Sequence, residues 1–159
     1  MRGTMMDFPL TLPTILERAG RYFPRVEIVS RKPDRSIART NYGAFYDRAR
    51  RLAAALTRLG LKPGDRVASM MWNHSGHHEV FFGVPCAGGI LHTLNLRLSP
   101  PEIAGIARHA SDRFRRSCGS SWTSAPCAVR TRCVYWTSIS RPRPVTQRCY
   151  CRGTFPSRA

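Results

Sequence analysis

"DRVASMMWNHSGHHEVFFGVPCAGGILHTLNLRLSPPEIAGIARHASD", residues 65–112, decides the fold. "DRVASMMW" (65–72) reads as a buried strand that opens after a Pro-Gly-Asp turn. "SGHHEVFFGVPCAGG" suits a helix that packs on that strand and ends at glycines, and "ILHTLN" (90–95) reads as the next strand. A further helix starts in "SPPEIAGIARHA", with Ser99 as its cap, Pro100 at the first helical position and Glu102 three residues after the cap. Strand, helix, strand, helix in this order implies a parallel α/β sheet with right-handed crossovers. A third buried strand is due next. The sequence instead continues "RRSCGSSW".

Upstream, "TLPTILERAGRYF" (11–23) predicts a helix capped by Thr11, with Ile15, Leu16, Ala19, Tyr22 and Phe23 on one face. "VEIVSRKPDRSIART" predicts two short strands around a Lys-Pro-Asp-Arg turn. The clearest helix follows, capped by Thr40 or Asn41 and ended by Gly60. Its apolar stripe is Phe45, Ala49, Leu52, Leu56 and Leu59, and Arg48, Arg50, Arg51 and Arg58 form a solvated face.

Downstream of Asp112 the composition breaks. Residues 113–159 contain no Asp, Glu, Lys, Leu, Met, Asn or His, yet hold five of the six cysteines. Typical proteins are about a quarter charged with roughly half of that acidic, so 47 acid-free residues mark a change of text rather than a fluctuation. Sixteen basic and nine acidic residues leave +7 on residues 1–112, while ten arginines put +10 on the rest, so the overall +17 adds two different polypeptides. Pro126, Pro142, Pro144 and Pro156 interrupt what little apolar sequence the tail has. Its composition predicts an unstructured segment over 115–159.

The sequence offers few chemical motifs. His74 and His78 stand four apart, one metal-binding spacing, but no third ligand or zincin order accompanies them. Cys118, Cys127, Cys133, Cys149 and Cys151 have gaps of eight, five, fifteen and one residues, which fit no zinc framework. "GVPCAGG" lacks both the phosphate-loop and dinucleotide patterns, and close backbone packing accounts for its glycines. The Arg-rich tail, with Trp122, Tyr135 and Trp136 as stacking faces, gives a weak polyanion-binding signal. Residues 1–20 show no cationic start ahead of an apolar core, and no stretch approaches the ~18 apolar residues of a membrane span. The expectation is a cytoplasmic protein with reduced cysteines.

With Trp72-Asn73, Glu79, Val84-Pro85 and the run "LHTLNLRLSP" (91–100), residues 65–110 closely resemble the start of AMP-forming acyl-CoA synthetases of the adenylate-forming superfamily. Within that superfamily they resemble the medium- and long-chain fatty-acyl-CoA ligase branch. "NYGAFYDRARRLAAALTRLGLKPGDRVA" and "MMDFPLTLPTILERAGRYFP" extend the resemblance over roughly residues 5–114. It implies a partial N-terminal subdomain, residues 1–114, of an enzyme that uses Mg-ATP to convert a fatty acid to its adenylate and then transfers the acyl group to coenzyme A. The family's Pro-Lys-Gly-ending phosphate loop, adenine and ribose motifs and C-terminal lysine have no counterpart in these residues. No catalytic, cofactor-binding or metal-binding residue is therefore assigned, and no cofactor is expected for this fragment.

Family members continue after "HASDR" with an aliphatic strand ending in Asp. Tryptophan is encoded only by TGG and threonine by AC-initial codons, so Trp122-Thr123 and Trp136-Thr137 each contain TGGAC. Read two bases later, that gives Leu, Met or Val followed by Asp. The tail thus reads as a frame-shifted continuation of an Arg-rich, GC-rich gene, beginning near codons 113–116. Its alternatives are a small Arg-rich nucleic-acid-binding protein and a truncated regulatory paralogue. The expectations for the chain as given are an exposed sheet edge and poor solubility.

Overall fold

In the computed structural model, which describes residues 9–32, 34–117, 132–135 and 145–147, residues 65–112 fold as their pattern requires. The strand β3 (Arg66–Met70) opens from a turn in which Asp65 Oδ2 accepts the Lys62 N–H at 2.8 Å and Gly64 takes φ +82°. Val67, Ala68 and Ser69 are all buried, so the strand is covered on both faces as an inner parallel strand should be. Helix α3 (Ser75–Cys86) follows, and β4 (Ile90–Thr93) returns parallel to β3, with Arg66 opposite Ile90 and Ser69 opposite Thr93. Helix α4 (Pro100–His109) starts at Ser99, whose N–H and hydroxyl both donate to Glu102 Oε2, at 2.9 and 2.6 Å.

The backbone then supplies the strand that was due. β5 (Phe114–Ser117) runs parallel to β3 on the side away from β4, with Val67 opposite Phe114 and Met70 opposite Ser117. β6 (Arg132–Tyr135) pairs parallel with β5 and β7 (Val145–Gln147) antiparallel with β6, giving the order β4-β3-β5-β6-β7. Three short strands thus fall within or across the segment read as an unstructured tail; the rest of that segment lies outside the described residues.

The N-terminal part packs on one face of this sheet. α1 (Leu12–Tyr22) precedes an antiparallel hairpin, β1 (Glu27–Arg31) and β2 (Ile37–Asn41), and α2 (Tyr42–Arg58) follows directly. In the hairpin turn Asp34 Oδ1 accepts both the N–H and the hydroxyl of Ser36, at 2.9 and 2.6 Å. Of the two candidate caps for α2 it is Asn41 that serves, its Oδ1 accepting the Ala44 N–H at 2.8 Å. Thr11 stands at the start of α1, but its hydroxyl meets that of Thr14 at 3.2 Å instead of capping the backbone. Gly60, at φ +88°, follows the end of α2.

Leu52 and Leu56 of α2 pack with Leu61, Val67, Met71, Val80 and Val84, while Phe45 and Ala49 pack with Leu16. Ala68, Leu94 and Ile103 form a separate cluster. Val67 and Ala68 are neighbours on one strand and point to opposite faces, so α2 and α3 cover one side of the sheet and α4 the other. At α1 the expected apolar face is only partly used. Leu16 is buried, yet Ile15, Tyr22 and Phe23 are 53, 66 and 47% exposed. Leu59 is half-buried at the edge of the first cluster. Among the described residues no helix is long and apolar enough to cross a membrane.

Candidate functional site

In open α/β sheets ligands gather outside the carboxyl ends of the strands. Here that end of β3 leads through Met71, Trp72 and Asn73 into the first turn of α3. An open groove of about 440 Å³ lies there, floored by Ile28, Ser30 and Arg31 of β1 and by Asn73, His74 and His77. Ser30 Oγ accepts the Ser75 N–H at 2.9 Å, so the hairpin and the helix start are joined across the groove.

The three histidines of this turn point to different tasks. His74 lies just outside α3 and caps it, its Nδ1 accepting the Gly76 N–H at 3.0 Å. His77 Nε2 lies 3.3 Å from Ser69 Oγ, and burial first, then the neighbouring His74, hold its pKa below the ordinary histidine value. His78 stacks on Phe45 with ring centres 4.2 Å apart and planes 15° apart; burial lowers its pKa against the opposing pull of Glu79. His74 and His78 therefore do not share a helix face, because His74 is a cap and not a helical residue. Among the described residues no group of three or more His, Cys, Asp or Glu side chains is placed to hold a metal ion.

Ser69 and His77 have the pairing of a hydroxyl with its base, but Ser69 is 1% exposed in the middle of an inner strand. No substrate carbonyl reaches a hydroxyl so enclosed, and the contact instead locks β3 to α3.

Three acids hold basic side chains far along the chain. Asp112 holds His92, and Asp65 holds Arg113 at 3.0 Å. The Lys62 N–H and then Arg113 keep Asp65 below the usual carboxylate range. Glu79 takes Arg48 in two contacts of 2.5 and 3.1 Å. Arg48 accordingly leaves the solvated face expected for the α2 arginines and bridges α2 to α3. Such pairs, 20 to 48 residues apart, carry no local signal in the sequence. Of the tail side chains considered above, Cys133 and Tyr135 fall on the described backbone of β6; Cys118, Cys127, Cys149, Cys151, Trp122 and Trp136 lie outside the described residues.

The family of AMP-binding enzymes matches residues 16–115, and the match stops where the composition breaks. The chain belongs to the AMP-binding enzyme family. Within it, the chain is similar to a long-chain-fatty-acid–CoA ligase of Thermus thermophilus, 51% identical over 111 residues, which are 70% of this chain and 20% of that protein. It is also similar to a 3-methylmercaptopropionyl-CoA ligase of Ruegeria lacuscaerulensis, 42% identical over 113 residues, covering 71% and 21% of the two chains. The crystal structure of the N-terminal domain of FACL13 from Mycobacterium tuberculosis superposes with a TM-score of 0.61 at 26% identity, over 67% of this chain and 26% of that one. This AMP-binding-enzyme chain thus spans about a fifth of the length of the curated relatives it matches. The resemblance to acyl-CoA synthetases of the fatty-acid branch holds.

Proposed function

We propose that residues 1–114 are the opening segment of an ATP-dependent fatty acid–CoA ligase and that this chain alone does not catalyse the reaction. The whole enzyme would use Mg-ATP to form an acyl-adenylate and then pass the acyl group to coenzyme A. The observation that carries the reading is a coincidence of boundaries: the family match ends at residue 115 and the last acid of the chain is Asp112. The lack of a phosphate loop supports inactivity, since adenylation needs charge compensation at the transferring phosphoryl group. The reading carries a cytoplasmic location with it, because ATP and coenzyme A are available there.

The segment beyond residue 114 is, in this reading, a frame-shifted translation. Sequencing the gene and translating downstream of codon 113 in three frames tests it. An aliphatic strand followed by a Pro-Lys-Gly loop in another frame supports the proposal; its absence from every frame makes the Arg-rich tail genuine and the reading wrong. Catalysis is tested separately by ATP–pyrophosphate exchange with a fatty acid, for which no signal above background is expected from the purified chain.

A further inference from the structure

Two strands by themselves do not make a stable sheet in water. Among the described residues β1 and β2 pair only with each other, so each leaves one edge open. One face of the hairpin is used: Ile28 packs at the Leu16, Phe45 and Ala49 cluster, and Ser30 binds the start of α3. By register the other face carries Glu27, Val29, Arg31, Ile37, Arg39 and Asn41. On it Val29 is 54% and Ile37 56% exposed, beside the 2.7 Å ion pair of Glu27 with Arg39. Tyr22, Phe23 and Val26, just ahead of β1, are also 47 to 66% exposed. Such a run of exposed large side chains marks a surface meant to be covered.

What covers it follows from the extent of the match. The hairpin lies inside the family-matched residues 16–115. The FACL13 chain matched is an N-terminal domain, and this chain covers only 26% of it. About three quarters of that domain has no counterpart in the match, and it is the chain available to cover this apolar face. We infer that the outer face of the β1–β2 hairpin, with Tyr22, Phe23 and Val26, is a docking surface for the remainder of an acyl-CoA ligase chain, and that the two pieces assemble without a covalent link. The inference rests on the reading of this chain as a ligase's opening segment, and it names the partner.

The test co-expresses the full 159-residue chain with the Thermus thermophilus ligase shortened by its matching N-terminal segment. Purification through a tag on the ligase is done at about 0.5 M salt, which screens the tail's charge. Expected are equimolar recovery and ATP–pyrophosphate exchange that neither piece gives alone. The Val29→Glu, Ile37→Glu variant changes only exposed positions and should lower co-recovery about tenfold. Soluble shortened ligase that does not retain the chain overturns the inference, and so does undiminished recovery with the variant. If the shortened ligase stays insoluble, the intact Thermus enzyme is refolded from denaturant with excess chain. Competition for the same surface should at least halve the recovered activity with the parent chain and spare it with the variant; equal recovery in both overturns the inference. A dimer of the chain that the same two changes dissolve assigns the face to a second copy and likewise overturns it. Exchange activity by the chain alone would sink the inert-piece reading without bearing on the hairpin surface.

Discussion

The Asp112 carboxylate, fully enclosed by protein, receives His92 Nδ1 at 2.9 and 3.0 Å and ties β4 to the turn between α4 and β5. One residue on, the Arg113 N–H donates to the Arg66 carbonyl at 3.0 Å while its guanidinium grips Asp65. The chain is therefore anchored to its fold by specific side-chain contacts up to its last acid and the residue after it. Beyond that point the composition changes. An accident of reading frame starting near codon 113 would leave this pattern, with specific contacts up to that point and a different composition after it.

His92→Ala tests the first anchor. It leaves an enclosed carboxylate without its side-chain donor, and removing one partner of a buried pair costs about 3 kcal/mol. His92→Gln keeps an N–H and should lose less. Urea unfolding followed by circular dichroism reads both; equal stability of His92→Ala and the parent would show that water already serves Asp112.

Two glycines in helices should respond in opposite directions to alanine. A Cβ at Gly83 would stand 2.8 Å from Leu52 Cδ2 and 3.0 Å from the Ala49 carbonyl oxygen, so α2 and α3 would have to part. Overpacking of this kind costs about 1–3 kcal/mol, more than the gain in helix propensity. Gly105 in α4 has nothing within 4 Å of such a Cβ, and Gly105→Ala should stabilise by about 0.5–1 kcal/mol. Midpoints of thermal or urea unfolding decide both signs.

The sequence revealed most where the signal is local. Asn41 with Ala44 and Ser99 with Glu102 are contacts three residues apart; the second appears as read, and the first settles on one of the two caps the sequence offered, Thr40 or Asn41. The α2 stripe Phe45, Ala49, Leu52 and Leu56 is buried throughout, because periodicity alone places those residues on one face. At α1 the same logic found an apolar face but not its cover, so Tyr22 came out exposed. Arg48 with Glu79 and His92 with Asp112 join different elements, and no spacing rule announces them. β5 was illegible for another reason. "FRRS" has no strand pattern, and its place beside β3 follows from where α4 delivers the backbone. The candidate site was the least legible part: the sequence offered only the four-residue spacing of His74 and His78, while the helix start sent His74, His77 and His78 to different partners.

Stability should fall as the pH drops below 6.5. His77 and His78 have folded pKa values below the 6.5 of the free side chain, chiefly through burial. Below pH 6.5 the unfolded chain then binds more protons than the folded one, so the stabilisation present above 6.5 is lost as the pH drops toward the folded values. Asp34, Asp65 and Glu102, whose pKa values are lowered, act only at more acidic pH. His78→Phe keeps a ring against Phe45 without the titration and should flatten the profile. A urea midpoint that is independent of pH below 6.5 in the parent chain would contradict the assignment.

The last prediction concerns β5. It runs between β3 and β6, parallel to both, which is the position where natural strands are near-continuous apolar runs. Arg115 and Arg116 occupy register positions opposite Ala68 and Ser69, both 1% exposed. By pattern such a position suits apolar residues, and the sequence places two arginines there. If these residues stand where an in-frame aliphatic pair belongs, Arg115→Val with Arg116→Val should stabilise the fold by about 1–3 kcal/mol and raise the soluble yield. The same change made in a genuine arginine strand would remove contacts selected with the fold and lower both. The sign of the shift in unfolding midpoint therefore separates an accidental tail from an evolved one at the level of the protein, independently of the gene.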